Sequence, residues 1–154
     1  RALPRHSEKR FVPYTDEQMF ALVADVERYP EFLPWIAALR IRSREENAFT
    51  ADILAAFGAL RERFTSRVTL DREAKTIVAE YIDGPFHHLE NRWHFTPREG
   101  GCDVDFDIDF TLKSKMLESL IGGLFTRAVQ KMTAAFDERA HKLYGEPTAS
   151  KDPA

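Results

Sequence analysis

The segment CDVDFDIDFTL, residues 102–112, alternates apolar and acidic side chains more strictly than any other part of the chain. Every second residue is expected to share one strand face, namely Cys102, Val104, Phe106, Ile108, Phe110 and Leu112. The intervening aspartates are Asp103, Asp105, Asp107 and Asp109. A period of two this regular predicts a strand of an antiparallel sheet that has one buried and one solvated face.

A long helix is predicted directly after this strand, over residues 115–144, with Ser114 at the N-cap and Gly145 at the C-cap. At 1.5 Å per residue it would span roughly 45 Å. Its apolar stripe consists of Leu117, Leu120, Ile121, Leu124, Ala128, Met132, Ala135, Phe136, Ala140 and Leu143. Gly122 and Gly123 each cost about 1 kcal/mol relative to alanine. We therefore expect the absence of side chains at these two positions either to allow close packing of the helix or to leave open space beside it.

Further strands are predicted upstream, and their sequences are AFTADILAAF (48–57), RERFTSRVTL (61–70), KTIVAEYI (75–82) and HHLENRWHF (87–95). The last of these is expected to join the 102–112 strand through a hairpin whose turn centres on residues 99–100. That turn would place Arg92 opposite Asp107 and His94 opposite Asp105. Such pairs would offset the like-charge repulsion along the acidic face by a few tenths of a kcal/mol each.

The order of these elements indicates the fold class. An N-terminal strand, a short helix with Thr15 as its N-cap, an aromatic loop, about six antiparallel strands and one long C-terminal helix together predict an α+β protein. A curved antiparallel sheet wrapped around one long helix leaves a gap between helix and sheet. Such a gap is a natural pocket.

The aromatic loop is the segment ERYPEFLPWI, residues 27–36, which contains Tyr29, Phe32, Trp35 and two prolines. Prolines this close together disfavour a regular helix and a central strand, so an extended loop is expected. The three aromatic residues are too apolar for an ordinary solvated loop. They are predicted either to line the mouth of the pocket or to plug one end of the core, and the two roles are compatible.

Length and composition restrict the classes of function. The 154 residues suit one domain, predicted over residues 9–145, between a basic flexible segment (1–8) and a disordered tail (146–154). A net charge of −3 offers no strong attraction to nucleic acid, and no DNA partner is expected. One cysteine excludes an internal disulfide and suits a reducing compartment. No apolar run reaches the roughly 18 residues of a membrane span, and a cytoplasmic location is expected.

The sequence shows no constellation typical of catalysis or metal binding. Cys102 begins an inward-facing series without a readable activating neighbour, so it is expected to pack. His87 and His88 would point to opposite faces of a strand and could not chelate one metal. The aspartates of the 102–112 strand diverge along it in steps of roughly 6–7 Å and would not converge on a calcium ion. No catalytic residue, no metal site and no cofactor are therefore expected.

The remaining candidates are large apolar side chains that could line a pocket. They are Tyr29, Phe32, Trp35, Phe64, Val68, Ile77, Tyr81, Leu89, Asn91, Trp93, Phe106, Phe110, Leu120, Leu124, Phe125 and Met132. For any one of them, packing in the core is the more common role. Jointly they indicate a cavity, because they combine many large aromatic rings with a glycine pair in the covering helix and an aromatic loop at one rim.

Several motifs resemble the coenzyme Q-binding family of the START-like, polyketide cyclase/dehydrase superfamily, whose bacterial branch is often labelled a RatA-type ribosome-association toxin. They are ERYPEFLPWI (27–36), FTSRV (64–68), DGPFHHLENRWHF (83–95), VDFDIDF (104–110) and AAFDERAHKLYG (134–145). The resemblance covers about residues 9–145. It implies a helix-grip fold with a hydrophobic tunnel, and binding of a ubiquinone-type isoprenoid quinone that supports respiration without catalysis.

In this interpretation ubiquinone is a bound ligand and not a redox cofactor. The candidates for contact with its head group are Arg67, Tyr81, Asn91 and Trp93, of which Arg67 is the weakest because it alternates with the inward face. Transient contact with the surface of the inner membrane is a further expectation, on the matrix side in a mitochondrion.

Two alternatives remain open. The first is a ribosome-binding protein that blocks association of the subunits, for which the N-terminal arm and the cluster Arg61, Arg63 and Arg67 would supply the basic surface. The second is a small cyclase or dehydratase, which needs a polar group inside the cavity. On their strand, His87 and Asn91 are the plausible inward polar residues for such an enzyme.

Overall fold

The computed structural model describes residues 5–57 and 60–145, without the side chains of residues 57, 60, 117 and 120–126. The strands in the described part are β1 (Arg5–Val12), β2 (Ile36–Arg44), β3 (Ala48–Phe57), β4 (Leu60–Asp71), β5 (Thr76–Asp83), β6 (Phe86–Arg98) and β7 (Gly101–Leu112). The helices are α1 (Asp16–Ala24), α2 (Tyr29–Phe32) and α3 (Lys115–Tyr144), with a 3₁₀ turn at Val26–Arg28.

The seven described strands form one antiparallel sheet in the order β1-β7-β6-β5-β4-β3-β2. Strands β2 to β7 follow each other as hairpins, whereas β1 lies at the far edge beside β7. The segment containing α1 and α2 therefore connects the two edges of the sheet. With α3 against the inner face, this is the predicted α+β helix-grip fold.

The register of the β6–β7 hairpin is the predicted one. Arg92 pairs with Asp107 and His94 with Asp105, and the last pair, Arg98 with Gly101, leaves a two-residue turn. Gly100 occupies that turn with a φ of 83°, a conformation that glycine adopts without steric cost.

The two faces of β7 are also as predicted. The alternate positions from Cys102 to Leu112 point inward, and Cys102, Val104 and Phe106 are at most 2% exposed. The largest fully buried side chains nearby include Phe95 and Phe136, the latter from α3. The core lies between the inner face of the sheet, α1 and the C-terminal half of α3.

The start of α1 follows from its sequence. The Thr15 hydroxyl accepts a hydrogen bond from the backbone N–H of Gln18 at 3.0 Å, and the Gln18 side chain accepts one from the N–H of Thr15 at 2.9 Å. This reciprocal capping box satisfies two N–H groups that the first turn leaves without helical partners. Thr15 is thus the N-cap, as predicted.

The prediction of an extended aromatic loop was wrong. The chain forms a 3₁₀ turn and then one turn of α-helix over Tyr29–Phe32, with Pro30 in the first turn. Proline is tolerated there because the first N–H groups of a helix have no intrahelical partner. The helix ends at Phe32. Its C-cap, Leu33, is extended, because the following residue, Pro34, disfavours the helical conformation at Leu33.

The boundary predicted between a flexible N-terminal segment (1–8) and the domain (9–145) was placed too late in the sequence. Strand β1 begins at Arg5, and Arg5 to Val12 pair continuously with Asp109 to Cys102. Pairing with β7 orders these residues, whose basic composition had indicated an arm. The predicted disordered tail, residues 146–154, lies outside the described residues.

Candidate functional site

A cavity of about 280 Å³ lies between the inner face of the sheet, the segment around α2, and α3. From the sheet it is lined by Ile36, Leu39, Ala51, Ile53, Ala55, Glu62, Phe64, Ser66, Val68, Ile77, Ala79, Phe86, Leu89, Asn91, Trp93, Ile108, Phe110 and Leu112. The other lining residues are Val23, Val26, Tyr29, Leu33, Trp35, Pro85, Ala128, Val129, Met132 and Phe136. Its volume is near the lower end of the range for small-molecule pockets, about 300–1,000 Å³.

Most of the predicted pocket residues whose side chains are described do line this cavity. They are Tyr29, Trp35, Phe64, Val68, Ile77, Leu89, Asn91, Trp93, Phe110 and Met132. Leu120, Leu124 and Phe125 were predicted as well, but their side chains lie outside the described residues. Trp35 and Trp93 are the two tryptophans of the chain, so the intrinsic fluorescence of the protein originates at the wall of the cavity.

Three predicted lining residues lie elsewhere. The Phe32 ring stands edge-on against Phe136, with 5.3 Å between the centroids, and belongs to the packing beneath α2. Phe106 is 2% exposed and packs behind Trp93 at 4.5 Å. The Tyr81 hydroxyl accepts a hydrogen bond from the backbone N–H of Phe86 at 3.3 Å, which holds the side chain at the end of the sheet.

The segment around α2 closes one end of the cavity and is held in place by polar contacts. The Tyr29 hydroxyl donates to the Val23 carbonyl at 2.5 Å, and burial raises the pKa of Tyr29, so the phenol stays neutral. Arg139 of α3 donates to Glu31 at 3.0 Å and places its guanidinium 5.1 Å from the centroid of the Phe32 ring. Of the three aromatic residues of this segment, Tyr29 and Trp35 face the cavity and Phe32 anchors the helix turn.

Few polar side chains line the cavity, and they differ in whether they have a hydrogen-bond partner among the described residues. The Ser66 hydroxyl donates to the Glu80 carbonyl at 3.1 Å. Within the described part of the chain, neither the Asn91 amide nor the Trp93 indole N–H has a hydrogen-bond partner. Beside the Glu62 carboxylate, Asn91 and Trp93 are therefore the polar groups of this wall that a ligand or a water molecule would satisfy.

The sheet register surrounds Asn91 with apolar residues. It pairs with Ala79 of β5 on one side and with Ile108 of β7 on the other, and both line the cavity. Its neighbours along the inner face of β6, Leu89 and Trp93, line it too. The site therefore presents one carboxamide near the middle of an apolar wall.

The expectation that His87 points inward with Asn91 was wrong. The β6–β7 ladder shifts register between Phe86 and His88, so His87 is an extra residue and lies exposed. A bulge of this kind leaves one residue unpaired and reverses the alternation beyond it. Phe86 and Leu89 consequently both line the cavity, although they are an odd number of residues apart.

Sequence reasoning missed Glu62, a carboxylate on the cavity wall. The signal was present, because Glu62 is two residues before Phe64 on the same alternating face of β4. Glu62 was overlooked because a charged residue is not expected on a strand face that is otherwise mostly apolar. The inner polar residues are thus Glu62, Ser66 and Asn91 rather than His87 and Asn91.

The basic cluster suggested for a ribosome surface is only partly available. Arg67 points away from the cavity and binds Glu45 through two hydrogen bonds of 2.9 and 3.2 Å, which lower the pKa of that carboxyl. It cannot contact a ligand head group in this arrangement. Arg61 and Arg63 also lie on the outer face of β4, and neither forms an ion pair with a described residue.

The described residues contain no cluster of three or more side chains suited to hold a metal ion. Cys102 is fully buried, and burial raises the pKa of its thiol to about 12, so it is not an activated nucleophile. Among the described helices, none is long and apolar enough to cross a membrane. The chemistry that the site offers is shape, apolar contact and a few hydrogen-bonding groups.

Comparisons with known proteins agree on one family. The sequence profile of the family "Polyketide cyclase / dehydrase and lipid transport" matches residues 12–137. The chain is 36% identical to the ribosome association toxin RatA of Rickettsia prowazekii, over 87% of this chain and 94% of that protein. It is 31% identical to the mitochondrial coenzyme Q-binding protein COQ10 homolog B of Xenopus laevis, over 91% of this chain and 59% of that protein.

Among solved structures, the solution structure of an 18 kDa protein from Caulobacter crescentus is 37% identical and superimposes with a TM-score of 0.77. The match covers 93% of this chain and 99% of that one. The relatives are thus named for ribosome association or for coenzyme Q binding, and the family name joins cyclases with lipid transport.

Proposed function

Because the chain belongs to the polyketide cyclase/dehydrase and lipid transport family, we propose that it binds an isoprenoid quinone of the ubiquinone type in its cavity. In this proposal the protein is a carrier or chaperone for the quinone that supports respiration, and it does not transform its ligand. The observation that carries the proposal is the apolar cavity, on whose wall the Asn91 amide has no hydrogen-bond partner among the described residues. The similarity to a coenzyme Q-binding protein supports the class of ligand.

The chemistry of a quinone matches this wall. A quinone ring is flat and apolar on its faces and carries carbonyl oxygens at its edge, which accept hydrogen bonds. The Asn91 NH₂ group and the Trp93 indole N–H are donors of the type that such oxygens need. The surrounding side chains, including Leu89 and Ile108, suit the ring substituents and the first part of a prenyl tail.

The energetics favour a carrier over a storage protein. Burying a prenyl tail from water stabilises a complex by about 0.8 kcal/mol per CH₂, but the bilayer in which quinones reside is equally apolar. Transfer of the tail from the membrane to the cavity therefore gains little. Net affinity has to come from shape and from the contacts of the head group, which suits exchange with a membrane.

The experiment that tests the proposal uses the quenching of tryptophan fluorescence by a short-tailed ubiquinone. We expect saturable quenching, because Trp35 and Trp93 both line the cavity. Ala128→Phe fills the cavity from α3 and should weaken binding at least about tenfold, the effect of roughly 1.4 kcal/mol. Ala134→Phe is the matched control, because Ala134 lies exposed on the same helix.

Asn91→Leu tests the head-group contact separately. Losing one hydrogen bond in an apolar site should weaken quinone binding by about 5–15-fold, or 1–1.5 kcal/mol, while leaving the cavity apolar. Absence of saturable quenching in the wild-type protein, or equal affinity of the Ala128→Phe and Ala134→Phe variants, would reject the proposal.

Ribosome binding is the second candidate, and the name of the Rickettsia prowazekii relative supports it. Arg61 and Arg63 form no ion pair with a described residue. The same face of the sheet also carries the four aspartates of β7, which contact Arg or His side chains. Co-sedimentation with isolated large ribosomal subunits at low salt tests this function. Loss of that co-sedimentation in an Arg61→Gln/Arg63→Gln variant, with quinone quenching unchanged, would assign the two functions to different surfaces.

A further inference from the structure

The turn between β5 and β6 organises one end of the molecule. The backbone N–H of Lys113, at the junction of β7 and α3, donates to the Pro85 carbonyl at 2.9 Å. Gly84 has a φ of 144°, and a Cβ there would lie 2.6 Å from the Cβ of Phe64 in β4. Because of these close approaches, the ends of β4, β5 and β7 and the start of α3 meet around this turn.

This end exposes two large apolar side chains. Ile82, just before the turn, is 52% exposed, and Met116, in the first turn of α3, is 73% exposed. The other exposed large apolar residues in the described part are Phe11 and Leu143. Leu143 lies at the C-terminal end of α3, about 40 Å along the helix from Met116 at 1.5 Å per residue.

Four cations surround the same turn. Arg61 and Arg63 line a shallow depression together with Gly84 and Pro85. Lys113 lies just before α3, and Lys115 is the first residue of that helix. None of the four forms an ion pair with a described residue, whereas Arg40, Arg42 and Arg67 on the neighbouring sheet face are all paired with carboxylates.

The charge of this end differs in sign from that of the chain. Three carboxylates, Glu62, Asp83 and Glu118, lie near the four cations, so this end carries about one net positive charge, against −3 for the whole chain. Glu62 lines both the depression and the cavity and is included in this count. An anionic surface is therefore attracted to this end in preference to the rest of the molecule.

The depression adjoins the cavity. It measures about 550 Å³, is open to solvent, and shares Glu62 and Pro85 with the cavity lining. Phe86, directly after the turn, lines the cavity from the inside and packs against Phe64 at 5.5 Å. The cationic and apolar surface thus lies at the end of the cavity that is remote from α2.

We infer that this surface, formed by Arg61, Arg63, Ile82, Lys113, Lys115 and Met116, docks the protein on an anionic phospholipid bilayer. Ile82 and Met116 enter the boundary between head groups and acyl chains, and the four cations contact the lipid phosphates. The ligand exchanges with the bilayer at the Glu62 and Pro85 end of the cavity. The last step rests on the proposed quinone-carrier function, whereas the docking itself does not.

The test is co-sedimentation of the full chain with vesicles of phosphatidylcholine alone or mixed with phosphatidylglycerol. We expect binding to the mixed vesicles that weakens with salt, and little binding to phosphatidylcholine alone. Arg61→Gln/Arg63→Gln should lower the partition coefficient by about fivefold per cation removed, the equivalent of about 1 kcal/mol each. Ile82→Asp/Met116→Asp should abolish binding, and Leu143→Asp is the matched control for an exposed apolar residue elsewhere.

The outcomes separate docking from ligand binding. Quenching by a short-tailed quinone in solution needs no membrane, so docking variants that are folded should retain it. Equal vesicle binding by the wild type and the Ile82→Asp/Met116→Asp variant, or no vesicle binding by the wild type, overturns the docking surface and leaves the quinone proposal intact. Binding to ribosomal RNA through Arg61 and Arg63, without vesicle binding, would overturn it in favour of an RNA partner.

Discussion

At the scale of single residues, Cys102 and Asn91 show how the same inner face produces different chemistry. Both lie on central strands and point toward the core. Cys102 is fully buried, and burial raises the pKa of its thiol to about 12. Asn91 faces open space, so its amide remains available. Enclosure and access, and not the residue types alone, decide which of the two can take part in binding.

Cys102 should be unreactive in the folded protein. A buried thiol with a pKa of about 12 provides almost no thiolate at mildly alkaline pH, and a reagent cannot reach it. The rate of labelling by a thiol-specific chromogenic reagent should therefore match the rate of unfolding, and it should become fast in denaturant. Fast labelling under native conditions, with the far-UV spectrum unchanged, would contradict this burial.

At the scale of elements, β1 shows how a basic segment becomes a strand. Its outward side chains meet the acidic face of β7: Arg5 donates to Asp107 at 3.1 Å, and the Ser7 hydroxyl also donates to Asp107. The Ser7 hydrogen bond, followed by Arg5, lowers the pKa of Asp107. On its inner side, Arg10 reaches Asp137 of α3 at 2.7 Å. Charge complementarity thus orders an edge strand that has little apolar burial.

Asp107→Asn should make the stability of the protein less dependent on acid pH. Because the folded-state pKa of Asp107 is lowered, its contribution is fully present above the unfolded-state pKa of about 3.9 and is lost as pH falls toward the folded-state value. Wild type should therefore be more stable than the variant at neutral pH, and the difference should shrink below about pH 4.

Denaturant unfolding at several pH values measures this difference. Asp105→Asn, two residues away on the same face, is the control. A gap between wild type and Asp107→Asn that stays constant or widens as the pH falls would show that the Ser7 and Arg5 contacts do not favour the ionised carboxylate.

At the scale of the whole molecule, α3 is tied to three other parts of the chain. The contacts are Arg10 to Asp137, Arg139 to Glu31 at 3.0 Å, and the Tyr144 hydroxyl donating to the carbonyl of Gln18 at 2.8 Å. All lie in the C-terminal half of the helix, where the core is filled by Phe136. Phe136 also borders the cavity, together with Ala128, Val129 and Met132, so this part of α3 both packs the core and forms part of the cavity wall.

Filling the cavity should stabilise the fold. A ligand that binds only the native state, present at about 100 times its dissociation constant, adds about 2.7 kcal/mol. For a chain of this length, about 2–4 °C per kcal/mol gives a rise in Tm of roughly 5–11 °C. Differential scanning fluorimetry with a short-tailed quinone measures it. The rise should be absent in Ala128→Phe and present in Ala134→Phe, and a rise of equal size in both would place the ligand outside the cavity.

The sequence by itself determined the fold class, the hairpin register and much of the cavity wall. These features depend on local periodicity: alternation along β7 assigns its faces, the two-residue turn aligns Arg92 with Asp107, and inward alternation on β4 places Phe64 and Val68. Residues close in the chain specify such patterns, because side chains of a strand alternate whatever its distant neighbours are.

Only the tertiary structure decided the details that depend on distant partners. The bulge at His87, the helical turn at α2 and the ion pair of Arg67 with Glu45 arise from contacts between separate elements. Phe106 and Asn91 share the inner face, yet Phe106 fills core and Asn91 borders space, because a cavity exists only where the volumes of facing side chains fail to fill the gap. That volume balance is a property of the packed molecule, and no single segment contains it.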